Sequence, residues 1–287
     1  MKDVWSWRPP GCEVFKGFTV FDVLRYVDRA TPIIGEDDSV IKALVVLKAL
    51  EPAAILVVNK RGEAVGVLGI YGVFTLLHEV GSTSPEKLWA ALYKTSVYDV
   101  DWLNLPVETT VSLEDLVADM RARGLGFALV RLGETIQLVN ILDVSSFLVS
   151  SEALERTSLR LVDIATGNVV SVGWDLTLFD LMGVMLRRRV RRVVLEGGEY
   201  VITDRGIMQC LVSNQALEML RDNPEKLMNT PLDELTQYVG RPEILSGDTH
   251  ISTAFKKLVE KEPCTALTEE RKHILTLWDI TKLLKQG

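Results

Sequence analysis

A self-repeat constrains this chain more than any other feature. The string PEKL stands at residues 85–88 and again at 224–227, and VDRAT (27–31) returns as VDIAT (162–166), so two matches keep their order at offsets of 139 and 135 residues. The chain reads as one half written twice with small insertions, and a period of this kind has to be settled before local structure is assigned. Each half then splits again. DDSVIKALVVLKAL (37–50), SLEDLVADMRARG (112–124), DLTLFDLMGVMLRRR (175–189) and DTHISTAFKKLVEK (248–261) each set a polar cap before apolar residues at helical spacing. Ser39, Ser112, Asp175 or Thr177, and Asp248 or Thr249 are the expected N-caps. A β-like run follows each helix: AAILVVN (53–59), FALVRL (127–132), RRVVLEG (191–197) and CTALTE (264–269). After a turn-rich or charged gap, a second apolar run leads directly into another helix at 64–79, 136–149, 199–212 and 273–285. With a short leading strand such as NVVSV (168–172), the unit is β-α-β-β-α and the class α+β, α/β-like. Val40 and Leu178 stand 138 residues apart, as do Leu113 and Ile251, so odd repeats match odd and even match even. A unit this small cannot bury its sheet and both helices alone, so repeats should pair.

Composition narrows the function classes. The 287 residues carry 25% charged side chains and a formal net charge of −7, which does not favour nucleic acid or anionic membrane as a general partner. Cys12, Cys210 and Cys264 are far apart, and with only His78, His250 and His273 beside them neither a metal site nor a disulfide framework is expected. The N-terminal MKDVWSWRPPGCEVF has no apolar core, so a signal peptide is not expected. The longest apolar stretch, 43–58, is broken by Lys48, Glu51 and Pro52 and falls short of the roughly 20 residues of a membrane span. The expectation is a soluble, cytoplasmic protein. GxGxxG, GxxxxGK, HExxH and GxSxG are all missing and no nucleophile–base pair is evident, so no catalytic residues are expected.

The stretch NVVSVGWDLTLFDLMGVMLRRRVRRVVLEGGEYVITDRGI (168–207) resembles the cystathionine-β-synthase (CBS) domain family. It has the leading Val/Ile strand, the acidic-Thr-Leu helix start, the basic pair opening a strand, and a strand ending in Ile-Thr before a helix. Over roughly residues 21–287 the pattern is similar to four-repeat CBS proteins, among them the gamma subunit of AMP-activated protein kinase and free-standing archaeal proteins. The resemblance implies two tandem pairs (Bateman modules): an extension at 1–20, a first pair at 21–150 with repeats about 21–80 and 96–150, and a second at 151–287 with repeats about 158–213 and 228–287. It also implies a regulatory rather than catalytic role, with AMP, ADP or ATP as ligand, S-adenosylmethionine second, and no catalytic cofactor. A protein partner and a homodimer fit the same resemblance.

The family's signature is Ser/Thr-x-x-Asp where the last strand meets its helix. Unpaired N–H groups at a helix start suit a phosphate, and an Asp in the first turn is kept ionised there and can accept both hydroxyls of a ribose. The fourth repeat has the full form, Thr276 and Asp279; the second has Asn140 and Asp143; the third keeps Thr203 but has Gly206; the first has Gly69 and Gly72. The expected order of sites is therefore fourth, second, third, first. Arg187, Arg188 and Arg189 close a helix, where cations offset its dipole. Arg191 and Arg192 open a strand and match the family's basic pair, and with Arg205 they are candidates for phosphate; alternation sends Arg191 and Arg192 to opposite faces. This single basic run lacks a stacking set for nucleic acid. Val170 and Ile244 on the leading strands are candidates for an adenine slot and equally for core, and Trp278 fits packing better than stacking. The alternative is a scaffold or partner-binding subunit with degenerate sites, in which VWSWRPPG (4–11) could dock a partner.

Overall fold

A computed structural model describes residues 14–27, 29–50, 54–100, 107–108 and 112–284; VWSWRPPG and Cys12 lie outside them. A short helix, α1 (Val20–Leu24), precedes the first repeat, which runs β1 (Ile33–Gly35), α2 (Val40–Leu50), β2 (Ala54–Val58), β3 (Ala64–Gly69), α3 (Ile70–Thr83). After α4 (Leu88–Lys94), the second repeat is β4 (Val107–Glu108), α5 (Leu113–Arg123), β5 (Phe127–Leu132), β6 (Thr135–Asn140), α6 (Ile141–Ser150). Helix α7 (Leu161–Ile164) leads to the third: β7 (Ser171–Val172), α8 (Leu178–Arg188), β8 (Arg192–Leu195), β9 (Val201–Thr203), α9 (Asp204–Leu211). Helices α10 (Asn214–Asp222) and α11 (Pro224–Met228) and strand β10 (Val239–Gly240) precede the fourth: β11 (Glu243–Leu245), α12 (Ile251–Glu260), β12 (Thr265–Thr268), β13 (Ile274–Thr276), then a 3₁₀ helix, Leu277–Leu283. In every repeat the leading strand is parallel to the middle strand, which is antiparallel to the third. Both PEKL copies are helix starts, the first a 3₁₀ turn into α4 and the second the opening of α11.

The first helices show why the repeats share one pattern. Val40, Ala43, Leu44 and Leu47 on α2 are fully buried; so are Leu113, Leu116, Val117 and Met120 on α5, Leu178, Leu181, Met182 and Met185 on α8, and Ile251, Ala254, Phe255 and Leu258 on α12. All four sets follow the same i, i+3, i+4, i+7 stripe, which turns one face of each helix onto its sheet. Ser112 and Thr177 cap α5 and α8 as expected, each accepting from the N–H three residues on. The cap of α12 is neither Asp248 nor Thr249 but His250. Its Nδ1 accepts from the Ser252 N–H at 3.3 Å while Nε2 lies 2.7 Å from the Thr157 carbonyl, an arrangement a neutral imidazole satisfies at both nitrogens.

Contacts divide the chain into two compact units that interleave along it. One holds the described residues up to Arg29, then Val107–Val169 and from Pro242 on; the other holds Ala30–Pro106 and Val170–Arg241. The first unit joins the second and fourth repeats around one core, and the other joins the first and third around another. Each leading segment lies in the unit that does not contain the repeat it precedes. Thr19 bridges Ser112, Ser96 bridges Ser39, Arg160 bridges His250 and Pro231 bridges Thr177, in each case at the start of another repeat's first helix. The described part of the extension belongs to this scheme, because Val14 and Phe15 are core residues. Modules at 21–150 and 151–287 follow chain order, and the compact units do not coincide with them.

Candidate functional site

The two Asp-bearing junctions both fall in the first unit and are built alike. Strand β6 delivers Asn140 to the cap of α6, where its Oδ1 accepts from the Asp143 N–H at 2.9 Å and its own N–H donates to Asp143 Oδ2 at 2.8 Å. This reciprocal capping box satisfies two helix-start donors and fixes the carboxylate. Arg29, from the segment that leads into the first repeat, donates to the same Oδ2 at 2.5 Å. Burial pushes the Asp143 carboxyl above its ordinary value, and the Arg29 charge and the Asn140 N–H pull it back only in part.

At the fourth repeat, strand β13 ends in Thr276. Its N–H and Oγ1 donate to Asp279 Oδ2 at 2.7 and 3.0 Å. On the other oxygen, Thr166 Oγ1 donates at 2.9 Å and the Lys282 ammonium forms an ion pair at 2.7 Å. Lys282 also donates to the Ile164 carbonyl at 2.6 Å and to Thr166 Oγ1 at 2.8 Å, which ties it to the segment leading into the third repeat. That segment pairs with β13 through Thr166 and Ile274, so Thr166 is in effect an added edge residue beside the junction. The Asp279 side chain is 2% exposed and Lys282 30%.

The odd repeats, in the second unit, are built differently. Thr203 caps α9 by accepting from the Gly206 N–H at 3.0 Å. A Cβ on Gly206 would stand 2.3 Å from the Tyr238 carbonyl oxygen, so the backbone leading into the fourth repeat leaves no room for a side chain at the position where the even repeats carry Asp. This is the physical reason for glycine there. Arg191 donates from Nε to Asp204 Oδ2 at 2.5 Å, and Asp204 is 6% exposed. Arg192 opens β8, and Arg205 lies in the first turn of α9, its N–H donating to Asp204 Oδ1 at 2.9 Å. In the first repeat Gly69 caps α3 without a side-chain bond, and the Tyr71 hydroxyl donates to the Val190 carbonyl. Burial raises the Tyr71 hydroxyl well above its ordinary value.

The candidate residues therefore fall into separate groups. Asn140 with Asp143 and Thr276 with Asp279 are brought together at two junctions of one unit; Thr203, Arg191, Arg192 and Arg205 gather around the third junction in the other. Val170 packs partly buried against the core of its unit, while Ile244 on β11 is 45% exposed, so of the two Ile244 presents more apolar surface. Trp278 packs partly buried against the core of the first unit. Sequence reasoning missed Arg29, Thr166 and Lys282. A signal for the first two was present: Arg29 precedes Asp143 by 114 residues and Thr166 precedes Asp279 by 113, and both lie in the VDRAT/VDIAT echo. Among the described residues no group of three or more His, Cys, Asp or Glu side chains could hold a metal, and no helix is long and apolar enough to cross a membrane.

The four repeats share the fold of solved tandem CBS-domain structures. Protein MJ1225 from Methanocaldococcus jannaschii, proposed as an archaeal homologue of g-AMPK, matches this chain with a TM-score of 0.79 and 17% identity, over 93% of this chain and all (100%) of its own. An uncharacterized conserved protein from Pyrococcus horikoshii covers the same 93% and 100% with a TM-score of 0.55 and 14% identity. The CBS-domain containing protein ATU1752 from Agrobacterium tumefaciens overlies 46% of this chain and 96% of its own, with a TM-score of 0.38 and 22% identity. No protein-family model matches the sequence, and none of the curated proteins compared with it does.

Proposed function

We propose that this chain is a regulatory adenine-nucleotide-binding protein, without catalytic activity, that senses AMP, ADP or ATP and acts on a protein partner. The observation that carries the reading is the pair of even-repeat junctions. In each, a buried Asp in the first helical turn is fixed by the capping residue and touches the chain segment that leads into another repeat. A ligand that engages such a carboxylate is positioned to alter how that segment is held, and a difference in affinity between two states is what regulation requires. In this reading Asp279 and Asp143 take the ribose, Thr276 and Asn140 orient them, and Ile244 offers apolar surface to the base. Arg191, Arg192, Arg205, Thr203 and Val170 would serve a third-repeat site, which ranks lower because Gly206 leaves no carboxylate there and Arg191 is engaged by Asp204. S-adenosylmethionine is the second ligand choice, and cytoplasmic location and homodimerisation belong to the same proposal.

Titration calorimetry with AMP, ADP, ATP and S-adenosylmethionine tests this. The expected result is binding of at least one, weakened by Asp279→Ala more than by Asp143→Ala. Heat from none of the four would overturn it. A second reading, a nucleotide-independent scaffold, is favoured by one observation: Asp279 already accepts three hydrogen bonds and pairs with Lys282 within the protein itself. Capture of the same partner with and without nucleotide would support that alternative.

A further inference from the structure

Asp143 and Asp279 each hold one cation, and the two cations come from opposite sides of the contact. At Asp143 the charge is Arg29 in the leading segment, while the position three residues after the Asp is Ser146. At Asp279 the charge is Lys282, three residues on, while the place of Arg29 in the echoed segment is taken by Ile164. Two copies of one design meet the same demand with different residues. The demand is therefore a cation on the carboxylate, whichever chain segment supplies it.

A carboxylate offers about four lone-pair sites. Those of Asp279 are matched by Thr276 N–H, Thr276 Oγ1, Thr166 Oγ1 and Lys282. At Asp279 a ribose bringing two hydroxyl donors finds room only if a protein donor leaves; at Asp143 the Asn140 N–H and Arg29 both sit on Oδ2, so a diol that engages both carboxylate oxygens meets Arg29 on that one. The Thr276 and Asn140 N–H groups are backbone-fixed and the Thr hydroxyls are short and neutral, while the carboxylates, at 2% and 10% exposure, cannot turn to water; the cations, long and at 30% exposure for Lys282 and 29% for Arg29, can. The cation is the movable partner at both sites.

We propose that Arg29 and Lys282 are internal competitors for the ribose-binding carboxylates, so that a nucleotide binds by displacing Lys282 from a filled Asp279 and Arg29 from one oxygen of Asp143. The proposal rests on the nucleotide-binding reading above and adds the residues that set its threshold. Because Lys282 also grips Ile164 and Thr166, its displacement removes two of the bonds that hold the leading segment of the third repeat, leaving the Thr166–Ile274 pairing.

Adenosine is the diagnostic probe, since it brings the diol and no phosphate for the cation to follow. Calorimetry at pH 8 on the full chain compares wild type, Lys282→Met, Arg29→Met and the swap Arg29→Met/Ser146→Lys, with AMP as reference ligand. Each single variant is expected to bind adenosine about 10-fold more tightly, the scale of one charge-assisted bond no longer competed for. The swap, which rebuilds at Asp143 the arrangement seen at Asp279, is expected to return the affinity to the wild-type value. Adenosine affinity unchanged or weakened in both single variants, with wild type still binding AMP, overturns the competitor role and leaves the nucleotide reading intact. No binding of either compound to any of the four proteins overturns both. The two junctions are separate tests, so if one variant fails to melt cooperatively the other decides.

Discussion

Exchanging Lys282 for methionine should cost more stability than exchanging its partner Asp279 for asparagine, even though both remove the same ion pair. The Lys282→Met change leaves a carboxylate 2% exposed with three uncharged donors and no cation, whereas Asp279→Asn leaves an ammonium 30% exposed that can hydrate and keep its bond to the Ile164 carbonyl. Stranding a buried charge costs about 3–5 kcal/mol. The three remaining hydrogen bonds bring this to about 2–3 kcal/mol for Lys282→Met. For Asp279→Asn, whose amide oxygen still accepts, about 1–2 kcal/mol is expected. The double variant has no stranded charge and should lose about 2 kcal/mol, which gives a coupling of about 2 kcal/mol, within the range for residues in direct contact. Guanidinium denaturation at pH 7 followed by circular dichroism reads these differences. A thermal scan should place Lys282→Met about 5–10 °C below wild type. If Lys282→Met costs under about 0.5 kcal/mol and the two changes add, the carboxylate is sustained by its neutral donors alone and the argument from the cation falls.

Other perturbations probe the rest of the fold. Gly206→Ala forces a Cβ to within 2.3 Å of the Tyr238 carbonyl oxygen, a backbone atom, and should lower stability by about 2–3 kcal/mol; wild-type denaturation would refute the close approach. Tyr71→Phe strands the Val190 carbonyl and should cost about 1 kcal/mol by chemical denaturation, and no loss would remove that bond from the account. The Lys261 hydrogen bond, with the Lys261 and Lys257 charges, holds the Glu243 carboxyl below its ordinary 4.5. Its stabilising effect is full above that value and fades as pH falls through the depressed folded-state value. Glu243→Gln should therefore be less stable at pH 7 and show a flatter acid limb below about pH 4.5, whereas acid limbs that superimpose would contradict it.

The repeat unit was legible in the sequence because helical and strand periods are local. The stripes beginning at Val40, Leu113, Leu178 and Ile251 and the caps Ser112 and Thr177 need no tertiary information. His250 escaped because imidazole is seldom a cap; here its second nitrogen is tied to Thr157, a contact across 93 residues. The interleaving was not legible, since four repeats with one pattern carry no local mark of which pairs with which. The same limit hid Lys282, and for Arg29 the echo marked the segment but not the contact. Each is an ordinary surface-type cation by composition, and only the fold brings a buried carboxylate to it. Gly206 could be read as a lost ligand but not as a required one, because the carbonyl that excludes a side chain there comes from 32 residues further on, at Tyr238.

The interleaving carries a consequence for how such a chain could arise. One core draws on residues from Ile34 to Val100 and again from Leu178 to Leu235; the other draws on Val14 to Leu154 and again from Leu159 to Leu284. Half a chain therefore supplies half of each core and completes neither. Two copies of one half are the smallest set that would close both, with each copy lending its leading segments to the shared cores. A single half on its own would have to meet a twin to complete its cores, at a rate set by its concentration. Fusion replaces that encounter with a tether of fixed effective concentration. Halves joined in one chain need not be identical, and here one carries its cation on the leading segment and the other on the helix.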